Sequence, residues 1–418
     1  MATTLAEVLR RFGPEYICTH ALSTRQARAW RAIVACRTPA LGGEQWRCDD
    51  CGAEAWRWHS CRTRGGAPFP QSRHCPQCQT QARDAWRTAR LAELLTVPYC
   101  HLAFTLPHEI NALAGAHPRW VYDTLMQSAA QTLTEFAANP RWLGGAAAFT
   151  LVLHTWTQDL TVHLHVHALM ACGALGVGPD GQACWLKPRR GERFLFPVHA
   201  LSRVFRGKFM QALEHAEQAA ERAAELPRDP ADSAQARQQR HQALRRHDWV
   251  VYAKTPLAGP AAVLDYLARY THRTAIGNER LQGIQGEQVR FKVRANDKAG
   301  PGGPHGKTSK VLDGVEFITR LLRHVLPSGF KRIRHYGLLA PAHKTERMAA
   351  ARRLLAMPQA NPVATEDARA FMQRVAGLDV RRCKHCGTGR WVVVACVACV
   401  AAQRRFAGEA EVACRGPP

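Results

Sequence analysis

The chain has 418 residues, with 57 Lys and Arg against 33 Asp and Glu and a formal net charge of +24. That length exceeds one ordinary domain, and 46% hydrophobic with 22% charged residues excludes wholesale disorder. A globular protein of roughly two to four units, attracted to polyanions such as phosphate backbones, is expected. No apolar run approaches the roughly 18 to 20 residues that a membrane span requires, and the start MATTLAEVLRRFG lacks a signal-peptide core. A cytoplasmic protein with no membrane partner is therefore expected. Of the 15 cysteines, eight fall into four Cys-x-x-Cys pairs, which in that compartment points to metal rather than disulfides.

Residues 1–92 are rich in Cys, Trp and Arg and read as an N-terminal helical and zinc-binding unit. Cys48-Asp-Asp-Cys51 and Cys75-Pro-Gln-Cys78 are knuckles separated by 23 residues, a spacing that lets four thiolates converge on one zinc. Cys61, His59 and His74 are alternative ligands, and Cys36 lies upstream. Residues 93–340 carry β-branched, apolar runs at 99–106, 148–156, 162–172, 249–253 and 288–293 that read as strands. Helical patterns at 119–138, 201–226, 260–270 and 315–325 separate them, so an α+β domain is expected. An Ala/Gln/Arg-rich stretch broken by Pro227 and Pro230 marks a helical insertion at about 210–247, and 295–309 reads as a basic loop. Residues 341–382 form a helical linker. The tail, 383–418, carries Cys383, Cys386, Cys396 and Cys399 around a hairpin-like GTGRWVVVA, the pattern of a small zinc ribbon.

Two motifs carry chemistry. In His163-Leu-His165-Val-His167 the strand period puts the three imidazoles on one face, with neighbours about 6.6 Å apart, close enough for two to share a cation. The third ligand is open between His163, a neighbouring strand, Gln158 and Asp159. In Tyr266-Leu-Ala-Arg-Tyr270, the i, i+4 spacing puts two phenols on one helix face. Such a pair more often packs in a core, but Arg269, His272 and Arg273 keep this one in polar, cationic company that suits a phosphate. Further basic segments are Arg203, Arg206 and Lys208, and Lys331, Arg332 and Arg334.

The histidine strand, the two-tyrosine helix and the upstream knuckles together resemble the rolling-circle transposases of the IS91 family, within the histidine-hydrophobic-histidine endonucleases. Segments such as RHCPQCQ, FTLPHE, FPVHALSRVFRGKF, YLARYTHR and IRHYGLLA extend the resemblance over roughly residues 36–344. An extra loop, TRGGAPFPQS, departs from the family pattern. The resemblance implies a central antiparallel sheet with flanking helices. It also implies Mg²⁺ or Mn²⁺ at His165 and His167 with His163 as a third ligand, structural Zn²⁺, and Tyr266 and Tyr270 as nucleophiles forming 5′-phosphotyrosine. The implied partners are single-stranded transposon ends and target DNA, with host replication factors, at a bacterial nucleoid. The zinc unit and the basic segments would then bind DNA. A plasmid replication initiator or relaxase-like nickase would share this chemistry. A zinc-dependent DNA-binding regulator with a silent site is the alternative from another class.

Overall fold

The computed structural model describes residues 3–61, 74–91, 93–191, 195–222, 233–257, 263, 275–294, 307–359 and 366–399. Helices α1 (Leu5–Thr19) and α2 (Thr24–Ala35) are each opened by a reciprocal capping box, Thr4 with Glu7 and Ser23 with Gln26. Strands β1 (Gly43–Cys48) and β2 (Glu54–Trp58) follow, then α3 (Pro76–Leu91) and β3 (Tyr99–Thr105). Next come α4 (Asn111–Ala116), α5 (Pro118–Ala138), and the long strands β4 (Ala146–Trp156) and β5 (Val162–Val177). After β6 (Ala183–Leu186) come α6 (Val198–Arg222), α7 (Ala234–Arg246) and β7 (Val251–Leu257). The meander β8 (Leu281–Gln285), β9 (Gln288–Arg294) and β10 (Lys307–Asp313) leads into α8 (Gly314–Leu322). The chain continues through β11 (Ile333–Gly337), α9 (Lys344–Leu354), α10 (Ala368–Ala376) and β12 (Trp391–Val397).

The central sheet runs β11-β4-β5-β3-β7, all neighbours antiparallel, with β6 on the far end of β5. Alternation along its strands sends Leu102 and Phe104, Leu151 and Leu153, and Leu164, Val166, Ala168 and Met170 to one face. There they meet Leu125, Met126 and Leu133 of α5 and Phe205 and Phe209 of α6. Phe104 and Phe205 pack edge to face at 5.1 Å between centroids. Burying each such side chain contributes roughly 1.5–3 kcal/mol. From the range 210–247, expected as a helical insertion, Met210, Leu213 and Leu244 join this core.

A second core joins the N-terminus to the meander. Val8, Leu9 and Phe12 of α1 and Ile33 of α2 pack with Phe291 of β9 and with Phe317, Ile318 and Leu321 of α8. Trp156 and Leu160, at the β4–β5 turn, enter the same cluster, so this unit grips the end of the two long strands. The third sheet, β12-β1-β2, pairs the tail with the head. The C-terminal ribbon is thus closed on the N-terminal strands rather than on itself. Among the described residues, no helix is long and apolar enough to cross a membrane.

Candidate metal centre and cysteine clusters

Because Leu164 and Val166 point into the helical layer, His163, His165 and His167 occupy the other face of β5. Strand register decides their neighbours: on β4, His154 lies opposite His165 and Val152 opposite His167, while β3 brings Thr105 and Ala103 alongside. His154, His165 and His167 each offer a ring nitrogen within 4.8 Å of the others. Their rings meet nearly perpendicular, with centroids 4.7 Å apart for His154 and His167 and 4.8 Å for His165 and His167. Burial and then the nearby His163 push His165 down to about 4, so at neutral pH the ring is uncharged and has a lone pair to offer.

The group of three that the sheet brings together thus has His154 as its third member and leaves His163 outside it. The exposed His163 ring stands against His165 at 4.9 Å, and its carbonyl lies 2.9 Å from His165 Nδ1, which directs Nε2 toward the shared centre. Of the other candidates, the Asp159 carboxylate bonds Lys310 Nζ at 2.7 Å, and the Gln158 backbone carbonyl accepts from Arg280. Burial pushes Asp159 up, but Lys310, Thr157 and Thr161 outweigh it and hold the carboxyl well below its usual range. Beside His154, a second residue the sequence did not flag stands at the centre: His101 on β3, 4% exposed, whose Nε2 lies 2.9 Å from His167 Nδ1. Burial, then Lys254 and His165, push it down to about 3. His154 and His101 are single histidines in apolar strands, LVLHTW and YCHLAFT, and only strand register marks them out.

Tyr266, Tyr270, Arg269, His272 and Arg273 lie outside the described residues. Val263 is described; it is fully buried and packs with Tyr99, Leu169 and Ala171, the last two continuing the His165 and His167 face of β5. The other basic candidates divide. Arg203 and Lys331 are exposed. Lys208 pairs with Glu135 at 2.5 Å, Arg206 with Asp248 at 3.7 Å, and Arg334 with Asp123, while Arg332 lies over the Trp156 ring at 5.8 Å. Cationic surface also lies elsewhere: Arg25, Arg28 and Arg119 line a cavity of about 770 Å³ with His74 and residues 325–330, where Arg119 donates to the Ser328 carbonyl.

The cysteines regroup relative to the sequence expectation. Cys75 and Cys78 meet Cys36 and Cys61, all four buried, whereas Cys48 and Cys51 meet Cys383 and Cys386. His59 and His74 join neither cluster. Cys396 and Cys399 also stand apart, because β12 runs antiparallel to β1: Trp391 lies opposite Cys48, and Cys396 lies at the far end opposite Glu44. In the buried tetrad, Cys36 and Cys61 sulfurs lie 3.4 and 3.5 Å from that of Cys78.

Residues 8–106 match the family described as "Transposase zinc-binding domain", and residues 148–347 the family described as "Putative transposase". The chain is 39% identical over 396 residues to "Putative transposase y4qJ" of Sinorhizobium fredii, covering 93% of this chain and 94% of that protein. It is 25% identical over 316 residues to "Transposase for insertion sequence element IS801" of Pseudomonas savastanoi pv. phaseolicola, covering 74% of this chain and 68% of that one. A solved conjugative relaxase in complex with oriT DNA matches at 14% identity and a TM-score of 0.24, covering 65% of this chain and 99% of that one, too distant to carry any residue across. A cysteine-clustered head on a histidine-bearing antiparallel sheet, with these relatives, defines a transposase with structural zinc. The chain belongs to the IS91 family of transposases.

Proposed function

We propose that this transposase nicks and rejoins single-stranded DNA at transposon ends through tyrosine-linked intermediates, by a rolling-circle route. The observation that carries the reading is the convergence of His154, His165 and His167 on one sheet face. Three imidazoles fit a divalent cation, and an all-nitrogen set suits Mn²⁺ better than the harder Mg²⁺. Bound there, the cation would polarise the scissile phosphate. His101 and the His163 carbonyl orient His167 and His165 so that ring nitrogens stay aimed at the centre. Val263, three residues before Tyr266 in sequence, packs on the same sheet face, which supports this reading.

In the proposed step the Oη of Tyr266 or Tyr270 attacks phosphorus. The Oη–P bond forms and the P–O3′ bond breaks. The proton lost by the phenol is balanced by the one the departing 3′ oxygen gains as a hydroxyl. The phosphotyrosine link conserves the phosphodiester energy, so a second 3′ hydroxyl can reverse the step without ATP, and two tyrosines permit two successive transfers. The arginine-lined cavity at Arg25, Arg28 and Arg119 offers phosphate contacts for the strand. Incubation with a single-stranded terminal sequence and Mn²⁺ should give a covalent adduct on a denaturing gel. An adduct that persists in Tyr266→Phe/Tyr270→Phe overturns the tyrosine assignment.

A further inference from the structure

We infer that the chain holds a second zinc at Cys48, Cys51, Cys383 and Cys386, and that this ion clasps the C-terminal tail to the N-terminal strands. The two ligand pairs are twin knuckles. Each is a Cys-x-x-Cys-Gly turn in which the glycine, Gly52 or Gly387, has positive φ (+72° and +73°) and its N–H bonds the first cysteine's carbonyl, at 3.2 and 3.0 Å. Between the knuckles, the Cys48 and Cys386 sulfurs lie 3.7 Å apart and the Cys51 and Cys383 sulfurs 3.8 Å. A tetrahedral site with Zn–S bonds of about 2.3 Å has sulfur–sulfur edges of about 3.8 Å. The tail knuckle is built to hold thiolate. The backbone N–H of His385 points to Cys383 Sγ at 3.4 Å and that of Gly389 to Cys386 Sγ at 3.3 Å. Gly389 also leaves room for Cys48 Sγ, where any Cβ would collide.

Docking is specific but small. Arg390 N–H donates to Asp49 at 2.7 Å, Thr388 donates to Asp50 at 2.5 Å, and Arg57 reaches the Val380 carbonyl at 2.8 Å. The apolar contact beneath is little more than Trp391 with Trp46, Ala53 and Ala55, while Val392, Val393 and Val394 remain 44–46% exposed. So little buried surface does not hold a strand whose partner lies more than 300 residues away in sequence, and four converging sulfurs supply the missing crosslink through a metal. Family matches end at residue 347, so the tail half of this site lies beyond them.

The test is metal stoichiometry on the full chain. Elemental analysis should find two zinc ions per protein, one in Cys383→Ser/Cys386→Ser, and two in Cys396→Ser/Cys399→Ser. The zinc retained by the first variant, at Cys36, Cys61, Cys75 and Cys78, reports that the head is still folded. Cleavage at a protease site inserted between residues 359 and 366 should leave the tail bound, and chelation should release it. One zinc in the unmodified chain, loss of zinc in Cys396→Ser/Cys399→Ser but not in Cys383→Ser/Cys386→Ser, or a cleaved tail indifferent to chelator would overturn the clasp.

Discussion

His154 is the residue on which the proposed metal centre turns. It stands opposite His165 in register, and its replacement leaves a pair where three imidazoles met. His154→Ala should abolish Mn²⁺-dependent adduct formation, whereas His163→Ala should retain it because the alanine keeps the carbonyl that bonds His165 and His163 lies outside the group of three. The reverse pattern in a denaturing-gel assay would reinstate His163. His101 acts through His167, and removing such an orienting group weakens metal binding by roughly 10- to 100-fold. His101→Ala should show that loss in a Mn²⁺ titration and His101→Gln should recover part of it; unchanged affinity in the alanine variant would remove His101 from the centre. The period-two pattern made His165 and His167 legible from sequence. His154 and His101 were not, because a single histidine in an apolar strand looks like any buried polar residue until its cross-strand neighbour is known.

At the scale of elements, the β4–β5 turn is held from both sides. Asp159 binds Lys310, and buried His324 sits 3.1 Å from Thr155 Oγ1 and 3.0 Å from the Leu160 carbonyl. Burial is the main cause that pushes His324 down to about 4 from an ordinary value of 6.5. The folded ring therefore resists a proton that the unfolded chain accepts. Stability from this group is intact above about pH 6.5 and is lost as pH falls toward about 4, by on the order of 1–3 kcal/mol. Thermal melts between pH 7.5 and pH 4.5 should show a smaller drop for His324→Asn than for the unmodified chain, and equal drops would refute the assignment. The α1–α8 contact makes a second prediction: Phe12 is 1% exposed against Gly314, so Phe12→Ala should cost about 3–5 kcal/mol in denaturant unfolding. The long strands β3, β4, β5 and β7 were readable from their apolar runs. The short β1, β2 and β11 were not read, and β12, seen only as part of a tail hairpin, has as its strand partner β1, more than 300 residues away.

For the whole molecule, composition foretold attraction to phosphate and a metal-rich chain, and both survive in sharper form. Which knuckle pairs with which was beyond sequence reading, because Cys51 and Cys383 are 332 residues apart and local spacing favours nearer partners. The basic segments also changed rank, since Lys208 and Arg334 are held by carboxylates while Arg25 and Arg28 line an open cavity. With a net charge of +24, affinity for a single-stranded end should fall at least on the order of tenfold between roughly 50 and 200 mM salt, and Arg25→Ala/Arg28→Ala should flatten that slope. A filter-binding series with an unchanged slope would place the strand elsewhere.

The central claim, a histidine-held cation serving tyrosine strand transfer, is tested most directly by trapping the covalent intermediate. A 3′-labelled single strand carrying a transposon end should become protein-linked with Mn²⁺, since the label lies downstream of the nick. The link should map to Tyr266 or Tyr270 and disappear on chelation or in His154→Ala. Cleavage that leaves no protein-linked 5′ phosphate, or an adduct that forms without divalent metal, would contradict the account.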